Sequence, residues 1–462
     1  MVGIVNTDKD PIVAIATAAG RGGVGIIRLS GEESFITHFL NEFFPLDSFK
    51  PRYAHYRQFK DEDGQVIDDG LVLYFPAPKS YTGESVVELQ SHGGPVILQM
   101  MLRQVLKVGT KLGLRLAEPG EFTKRAFLNG RMDLSQAEAV ADLIDATTEG
   151  AARAASRSLN GVFSEKVREI SEQVIELRAL IEAILDFPEE EIDFIQSTQA
   201  RKRMDRIQES FTKFRQMSKQ GSILREGVTV VLVGSPNVGK SSLMNTLSGS
   251  DVAIVTDVAG TTRDKIENDI QIGGVPLRLV DTAGVRETQD KVEAIGIERT
   301  LQAVEKADVI LHLVDLSSQT SDEEGQATLS RVMQRVKRGV PVIEVFNKAD
   351  MASSYEEKEN CLYISAKTGK GIEQLKQKLL SIVGWESNTE SLFLARERHL
   401  QAIECANEHL VLARQFIDLP NPALDLLAEE LRLTNDALGE IVGETTPDDI
   451  LGMIFSRFCI GK

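Results

Sequence analysis

The sequence predicts a multidomain fold with α/β and all-α parts: an N-terminal α+β domain, a discontinuous helical-bundle domain, and an α/β domain inserted between the two helical pieces. Three observations predict it. The 462 residues suffice for about three domains at roughly 150 residues each. Short β-like runs fill the first 115 or so positions and give way near Leu134 to Ala-, Glu- and Arg-rich sequence with helical apolar spacing. From about 225 to 383 apolar strands alternate with helical segments, the pattern of β-α units on a mainly parallel sheet.

In the N-terminal part, IVAIAT at 12–17, GIIRLS at 25–30, LVLYF at 71–75 and SVVELQ at 85–90 are β-branched runs separated by Gly, Pro and Asp. Ile170, Val174, Leu177, Ile181 and Ile184 then recur at four-three spacing, which places them on one face of a helix interrupted at Asp186 to Pro188. A second helical tract runs from near Ser391, with Leu424, Leu427, Leu431, Leu438 and Ile441 on one face. Each tract alone would have to bury its apolar face separately, so the two are expected to pair into one bundle. The expected borders are 1–118, 119–222, 223–384 and 385–462.

Composition narrows the function. With 52 Lys+Arg against 69 Asp+Glu the net charge is −17, which argues against a bare nucleic-acid binder, since neutralising phosphates takes clustered cations. Cys361, Cys405 and Cys459 are far apart and form no C-x-x-C pair, so neither a disulfide framework nor a zinc finger is indicated. No basic leader and no run of 18 apolar residues is present, so a soluble cytoplasmic protein without a membrane segment is expected.

The strongest motif is Gly234-Ser-Pro-Asn-Val-Gly239-Lys240-Ser241, between the strand at 228–233 and the helical SSLMNTL. Its glycines let backbone N–H groups wrap phosphates, Lys240 adds a fixed positive charge, and the Ser241 hydroxyl suits magnesium. Asn237, Val238, Gly239, Lys240, Ser241 and Ser242 are the nucleotide-contacting positions of this segment. Asp281, Thr282, Ala283 and Gly284 follow the strand LRLV, which places a carboxylate near magnesium and the Gly284 amide near the γ-phosphate. Asn347, Lys348, Ala349 and Asp350 follow VIEVF, where the Asp350 carboxylate can accept both N1–H and the exocyclic amine of guanine. Adenine offers no such donor pair, so a plain ATPase is disfavoured. Ser365, Ala366 and Lys367 follow CLYI and would cover the base. All four motifs sit at strand ends, where open α/β sheets bind ligands, and this reads as a Ras-like P-loop GTPase domain.

Gly260-Thr-Thr-Arg-Asp264 lies where a first switch region should, with Thr262 as the second hydroxyl on magnesium. Val285 follows Gly284, where many small GTPases carry a water-positioning Gln. An apolar side chain cannot orient water, and the residues alone do not choose a substitute. Gly20-x-Gly22-x-x-Gly25 matches a dinucleotide fingerprint in spacing but precedes a strand-like run instead of a helix, so that reading is rejected. His92 reads as structural, and Glu189, Glu190, Glu191 and Asp193 read as a solvated helix start.

The P-loop with Asn237, the GTTRD, the DTAG and the terminal Phe-Cys459-Ile-Gly-Lys462 resemble the MnmE (TrmE) family of tRNA-modification GTPases. The resemblance extends over GRGGVGIIRLSG at 20–31, YTGESVVELQSHGGP at 81–95, PGEFTKRAFLNGRMDLSQAEAVADLI at 119–144 and FPEEEIDF at 187–194. It implies a homodimer with an N-terminal folate-binding domain, a helical domain and an inserted G domain.

In such a family a potassium ion takes the place of an arginine finger, held here by Asn237 and by oxygens of Thr256, Val258 and Thr261. Asp257, Ala259 and Gly260 belong to the same nucleotide-facing loop. On the bare sequence a turn residue after Pro236 is the alternative reading of Asn237. The resemblance assigns Glu293 to positioning the attacking water through a bridging water, and Arg286, just after DTAGV, is a switch candidate; Glu293, Lys240, Arg286 and Cys459 are the expected catalytic residues. It assigns 5-formyl-tetrahydrofolate to Arg28, Glu88, Arg131 and Lys462. A guanidinium suits the folate carboxylate and a carboxylate suits pterin donors. Family members often carry Lys where this chain has Arg131, which keeps the charge. Cys459 is tied by the resemblance to the modification reaction, while an inert buried thiol is the alternative; Gly461 and Lys462 do not fit a prenylation box.

The implied function is a potassium-activated GTPase that modifies the wobble uridine of certain tRNAs at carbon 5. The group added is aminomethyl or carboxymethylaminomethyl, with a folate as one-carbon donor. The work is shared in a heterotetramer with the FAD-dependent partner MnmG, through which tRNA is bound. The alternative is a regulatory GTPase switch in ribosome assembly without modification chemistry, which the G-domain motifs alone do not separate from the first.

Overall fold

The computed structural model describes residues 9–45, 47–186, 199–249, 267–282, 303–318, 322–352, 361–386, 392–444, 448–456 and 458–461. It forms two compact units, Met1–Ala141 with Gly439–Lys462, and Asp142–Leu438. In chain order the elements are β1 (Ile12–Ile15), β2 (Gly22–Gly31), α1 (Glu33–Phe43), β3 (His55–Lys60), β4 (Val66–Phe75), β5 (Ser85–Gly93), α2 (Pro95–Gly109), β6 (Arg115–Leu116), α3 (Glu121–Leu128) and α4 (Leu134–Asp145). There follow α5 (Glu149–Leu159), α6 (Val162–Asp186), α7 (Gln199–Glu226), β7 (Val228–Val233), α8 (Lys240–Ser248), β8 (Glu267–Ile272), β9 (Val275–Asp281), β10 (Val309–Asp315), α9 (Glu323–Met333), β11 (Val342–Asn347), β12 (Leu362–Tyr363), α10 (Ile372–Ile382), α11 (Glu397–Asp418), α12 (Leu424–Val442) and α13 (Asp448–Ser456).

The first unit holds the expected α+β part, together with residues 119–141 and 439–462, which were expected in the helical domain. Its sheet runs β3-β4-β5-β2-β1-β6, antiparallel except for the β1–β6 pair. Ile27 and Leu29 of β2 alternate with Arg28, so the apolar residues bury against α1 and α2 while Arg28 faces the other side. Gly20, Gly22 and Gly25 lead into this strand and not into a helix, as expected. Gly25 is needed for packing, because a Cβ there would stand 2.5 Å from Leu98 Cδ2. The C-terminal segment returns to this unit. Phe455 and Phe458 pack against Leu134 and Ala137, and Ile460 bridges Pro119.

The second unit holds the bundle and the inserted α/β domain. The predicted stripe Ile170, Val174, Leu177, Ile181 and Ile184 is buried along α6. The two tracts pair as expected: Phe163 before the insert stacks on Phe393 after it at 4.6 Å, with Phe214 of α7 at 5.7 Å from Phe163. Gly221 makes room, since a Cβ there would lie 2.1 Å from the Phe393 carbonyl. Asp142 fastens the joint by accepting from Arg225 at 2.9 Å and Arg396 at 2.8 Å. Helix α7 runs to Glu226, past the border expected at 222, and turns into the sheet at Gly227, whose φ of +71° suits a glycine helix terminus.

The inserted sheet runs β12-β11-β10-β7-β9-β8 and is parallel apart from the β8–β9 pair. Parallel strands share one carboxyl edge. The register places Asp315 of β10 opposite Asn347 of β11, and Leu232 of β7 opposite Asp281 of β9. Among the described residues no helix is long and apolar enough to cross a membrane.

Candidate functional site

The phosphate end is built by the turn from β7 into α8. Asn237 and Gly239 adopt φ of +60° and +103°, the left-handed conformation that Asn tolerates and Gly takes freely. Lys240, nearly buried, donates from Nζ to the carbonyls of Gly234 at 2.6 Å and Ser235 at 3.0 Å, so the ammonium is folded onto its own loop. Ser241 and Ser242 are exposed in the first turn of α8, where free N–H groups and the helix dipole favour an anion.

Asn347 reaches across from β11. Its buried side chain donates to the Val238 carbonyl at 2.9 Å and accepts from the Ala366 N–H at 3.0 Å. Thr246 of α8 also donates, to the Ala366 carbonyl at 2.6 Å. The phosphate loop and the two base-side loops are thereby one hydrogen-bonded assembly.

At the base end Asp350 is exposed and accepts the Ser365 hydroxyl at 2.6 Å, which holds its carboxyl below the usual carboxylate range. It is an ionised acceptor at neutral pH, as guanine recognition requires. Ala349 is tied to the residue after β12 by its N–H to the Ile364 carbonyl at 3.0 Å. Lys348, at φ +63°, pairs with Asp315 at 2.6 Å. Burial of the Asp315 carboxyl opposes ionisation, but hydrogen bonds from Lys348 and Ser317 outweigh it and lower its pKa. Asp315 was not singled out by any sequence motif; only the β10–β11 register reveals it. Lys367 is exposed beside this assembly.

Asp281 ends β9 half-buried, and the neighbouring Thr282 donates to the Leu232 carbonyl at 2.8 Å, which pins this strand end to β7. Thr256, Asp257, Val258, Ala259, Gly260, Thr261 and Thr262 lie outside the described residues, as do Ala283, Gly284, Arg286, Glu293 and Lys462.

The first unit brings together two of the folate candidates. Arg28 and Glu88 are direct cross-strand partners on β2 and β5, joined Nε to Oε1 at 2.9 Å. Arg28 also donates through Nη1 to the Gly461 carbonyl at 3.3 Å, and its guanidinium lies over the rings of Tyr81 at 5.4 Å and Phe122 at 5.8 Å. A half-buried cation held against two aromatic rings and paired with a carboxylate suits a donor-rich ring carrying an anionic tail. Arg131 is exposed, its stem 3.2 Å from where a Cβ of Gly83 would stand, in the loop that also carries Tyr81. Behind that loop Arg125 is buried between Glu84 and Glu121, a network that sequence spacing did not disclose.

Cys459 is exposed, which corrects the alternative of a buried inert thiol. Its carbonyl accepts from the Gly120 N–H at 3.4 Å, so the tail is held by backbone while the thiol stays accessible. His92 is structural as expected: its N–H and Nδ1 both contact Asp68 at 2.8 Å. The acidic run at 189–193 lies outside the described residues.

Two family descriptions match the chain, "MnmE helical domain" over residues 134–459 and "GTP-binding protein TrmE N-terminus" over residues 11–131. Proteins named tRNA modification GTPase MnmE are similar to it along its length. That of Burkholderia ambifaria is 52% identical, covering 99% of this chain and 99% of its own. That of Ralstonia nicotianae is 52% identical over 98% and 96%, and that of Methylibium petroleiphilum 53% identical over 98% and 98%.

Proposed function

The chain belongs to the MnmE family of tRNA modification GTPases, and from that premise we propose a potassium-activated, homodimeric enzyme that couples GTP hydrolysis to modification of the wobble uridine at carbon 5. The aminomethyl or carboxymethylaminomethyl group is built from a folate one-carbon unit with a FAD-dependent partner of the MnmG type, in the cytoplasm. The observation that carries this reading is the Arg28–Glu88 pair beneath the C-terminal segment, present in the same chain as a P-loop and an Asp350 carboxylate suited to guanine. A regulatory GTPase has no need of the first of these sites.

The chain's own residues divide the work. The turn ending at Gly239 and the start of α8 present N–H donors to the phosphates, Lys240 exchanges its loop carbonyls for phosphate oxygens, and Asp350 reads guanine. The exposed Ser241 hydroxyl suits magnesium, with Thr262 as second ligand. The exposed Asn237, a neutral oxygen donor in a left-handed turn, suits potassium together with Thr256, Val258 and Thr261. Potassium supplies positive charge against the β- and γ-phosphates as charge builds there. Val285 leaves water orientation to Glu293, with Arg286 in the same switch. Arg28, Glu88, Arg131 and Lys462 hold the folate, and the accessible Cys459 thiol serves the modification step.

tRNA from cells lacking this chain should lose the carbon-5 substituent at the wobble uridine and regain it when the chain is restored, with 5-formyl-tetrahydrofolate binding to the purified protein. Unchanged modification in its absence would overturn the reading.

A further inference from the structure

His312 is fully buried in β10, the strand beside β7, among Val, Ile and Leu neighbours. Its Nε2 lies 3.1 Å from Asp322 Oδ2, and neither imidazole nitrogen has an aligned hydrogen-bond partner among the described residues. Asp322 stands at the N-cap of α9, yet its side chain caps no N–H of that helix. Its Oδ1 instead accepts the Ser235 hydroxyl at 2.5 Å. Ser235 is the second residue of the phosphate loop, and its carbonyl receives Lys240 Nζ. Gly325, one turn into α9, leaves room for the carboxylate, since a Cβ there would stand 2.2 Å from Asp322 Oδ2.

Two choices here are locally unfavourable. An Asp at an N-cap ordinarily accepts from the first helical turn, and this one does not. A polar ring in an apolar strand loses its hydration without full compensation. Local rules are broken in this way where function requires it. The feature common to both departures is the link running from His312 through Asp322 and Ser235 to the lysine of the phosphate loop.

We propose that Asp322, backed by His312, is a positioning residue for nucleotide binding: it fixes Ser235 and so shapes the phosphate loop before nucleotide arrives. This rests on the P-loop GTPase reading of the same site. The loop embraces phosphates common to GDP and GTP, so the contribution is to binding of both and not to the chemical step.

The test uses the full-length chain with Ser235→Ala, Asp322→Ala and the double variant, reading GDP affinity by titration and GTP turnover at steady state. Each single substitution should raise the GDP Kd and the KM for GTP about three- to tenfold, with kcat within about twofold, the size expected for one lost charge-assisted hydrogen bond. The double variant should be no worse than the weaker single, because the two groups share one bond. Ser235→Thr, which keeps the hydroxyl and is mild for the fold, should bind GDP as wild type does. Additive effects in the double variant, a fall in kcat at unchanged KM, or lowered thermal stability with unchanged Kd would each overturn the proposal. A wild-type chain that failed to bind GDP at all would overturn the GTPase reading and the proposal with it.

Discussion

Asn347 donates to the Val238 carbonyl and accepts from the Ala366 N–H, so one buried carboxamide joins the phosphate loop to the loop of Ser365, Ala366 and Lys367. Gly239 lies against it: a Cβ there would stand 2.3 Å from Asn347 Nδ2, on a backbone at φ +103°. Gly239→Ala is therefore expected to weaken GDP binding more than tenfold and to cost about 2–4 kcal/mol of stability, the range for strain combined with a broken buried bond. Asn347→Ala should give a similar loss of affinity by removing the same bond from the other side. Titration with GDP and thermal unfolding check both.

Gly461 seats the C-terminal segment in the first unit. At φ +97° a Cβ would meet the Ile15 carbonyl at 2.3 Å. Gly461→Ala should displace the carbonyl that Arg28 holds, reducing 5-formyl-tetrahydrofolate affinity and tRNA modification while GTP turnover stays unchanged. Calorimetric titration with the folate, run beside a phosphate-release assay, reads the two effects separately.

In the proposed reading the exposed Asp350 carboxylate meets a base that offers two donors. A carboxamide at this position presents an N–H where guanine presents its own, but it suits a base with a carbonyl at carbon 2. Asp350→Asn should therefore lower GTP affinity by about 10²-fold or more, since an N–H then faces an N–H of guanine and a donor–acceptor contact is lost, and should raise affinity for the xanthine nucleotide. Competition binding with both nucleotides measures the switch.

Glu121 is held below its ordinary pKa. Burial alone would raise it, but hydrogen bonds from Arg115, the Glu118 N–H and Arg125 outweigh burial. A carboxyl whose pKa falls on folding stabilises the native state above its unfolded value of about 4.3, and that contribution fades as pH drops through the lower folded value. Glu121→Gln should thus be less stable than wild type at neutral pH by about 2 kcal/mol or more, given two buried or half-buried arginine partners. The difference should shrink progressively below about pH 4, as denaturant unfolding across pH will read.

What was legible beforehand was local. The span of β7, the glycine-rich turn and the start of α8 follow from a motif that depends on adjacent residues, and the α6 stripe follows from helical period. The joining of Phe163 to Phe393 followed from the economy of burying two amphipathic tracts together. Long-range placement was not legible. The Arg28–Glu88 pairing depends on the β2–β5 register, and those residues were reached only through resemblance. The Lys348–Asp315 and Arg125–Glu84 pairs unite residues far apart in sequence, where no periodicity or spacing carries a signal. The exposure of Cys459 depends on how the tail meets Gly120, which composition does not encode.

Potassium dependence is the central claim, and GTP turnover by the full-length chain in potassium against sodium, at equal ionic strength and saturating magnesium, tests it most directly. A cation placed against the β- and γ-phosphates predicts turnover more than about tenfold faster in potassium, with Asn237→Ala abolishing the difference. Equal turnover in the two salts would contradict it and remove Asn237 and the loop from Thr256 to Thr261 from the mechanism.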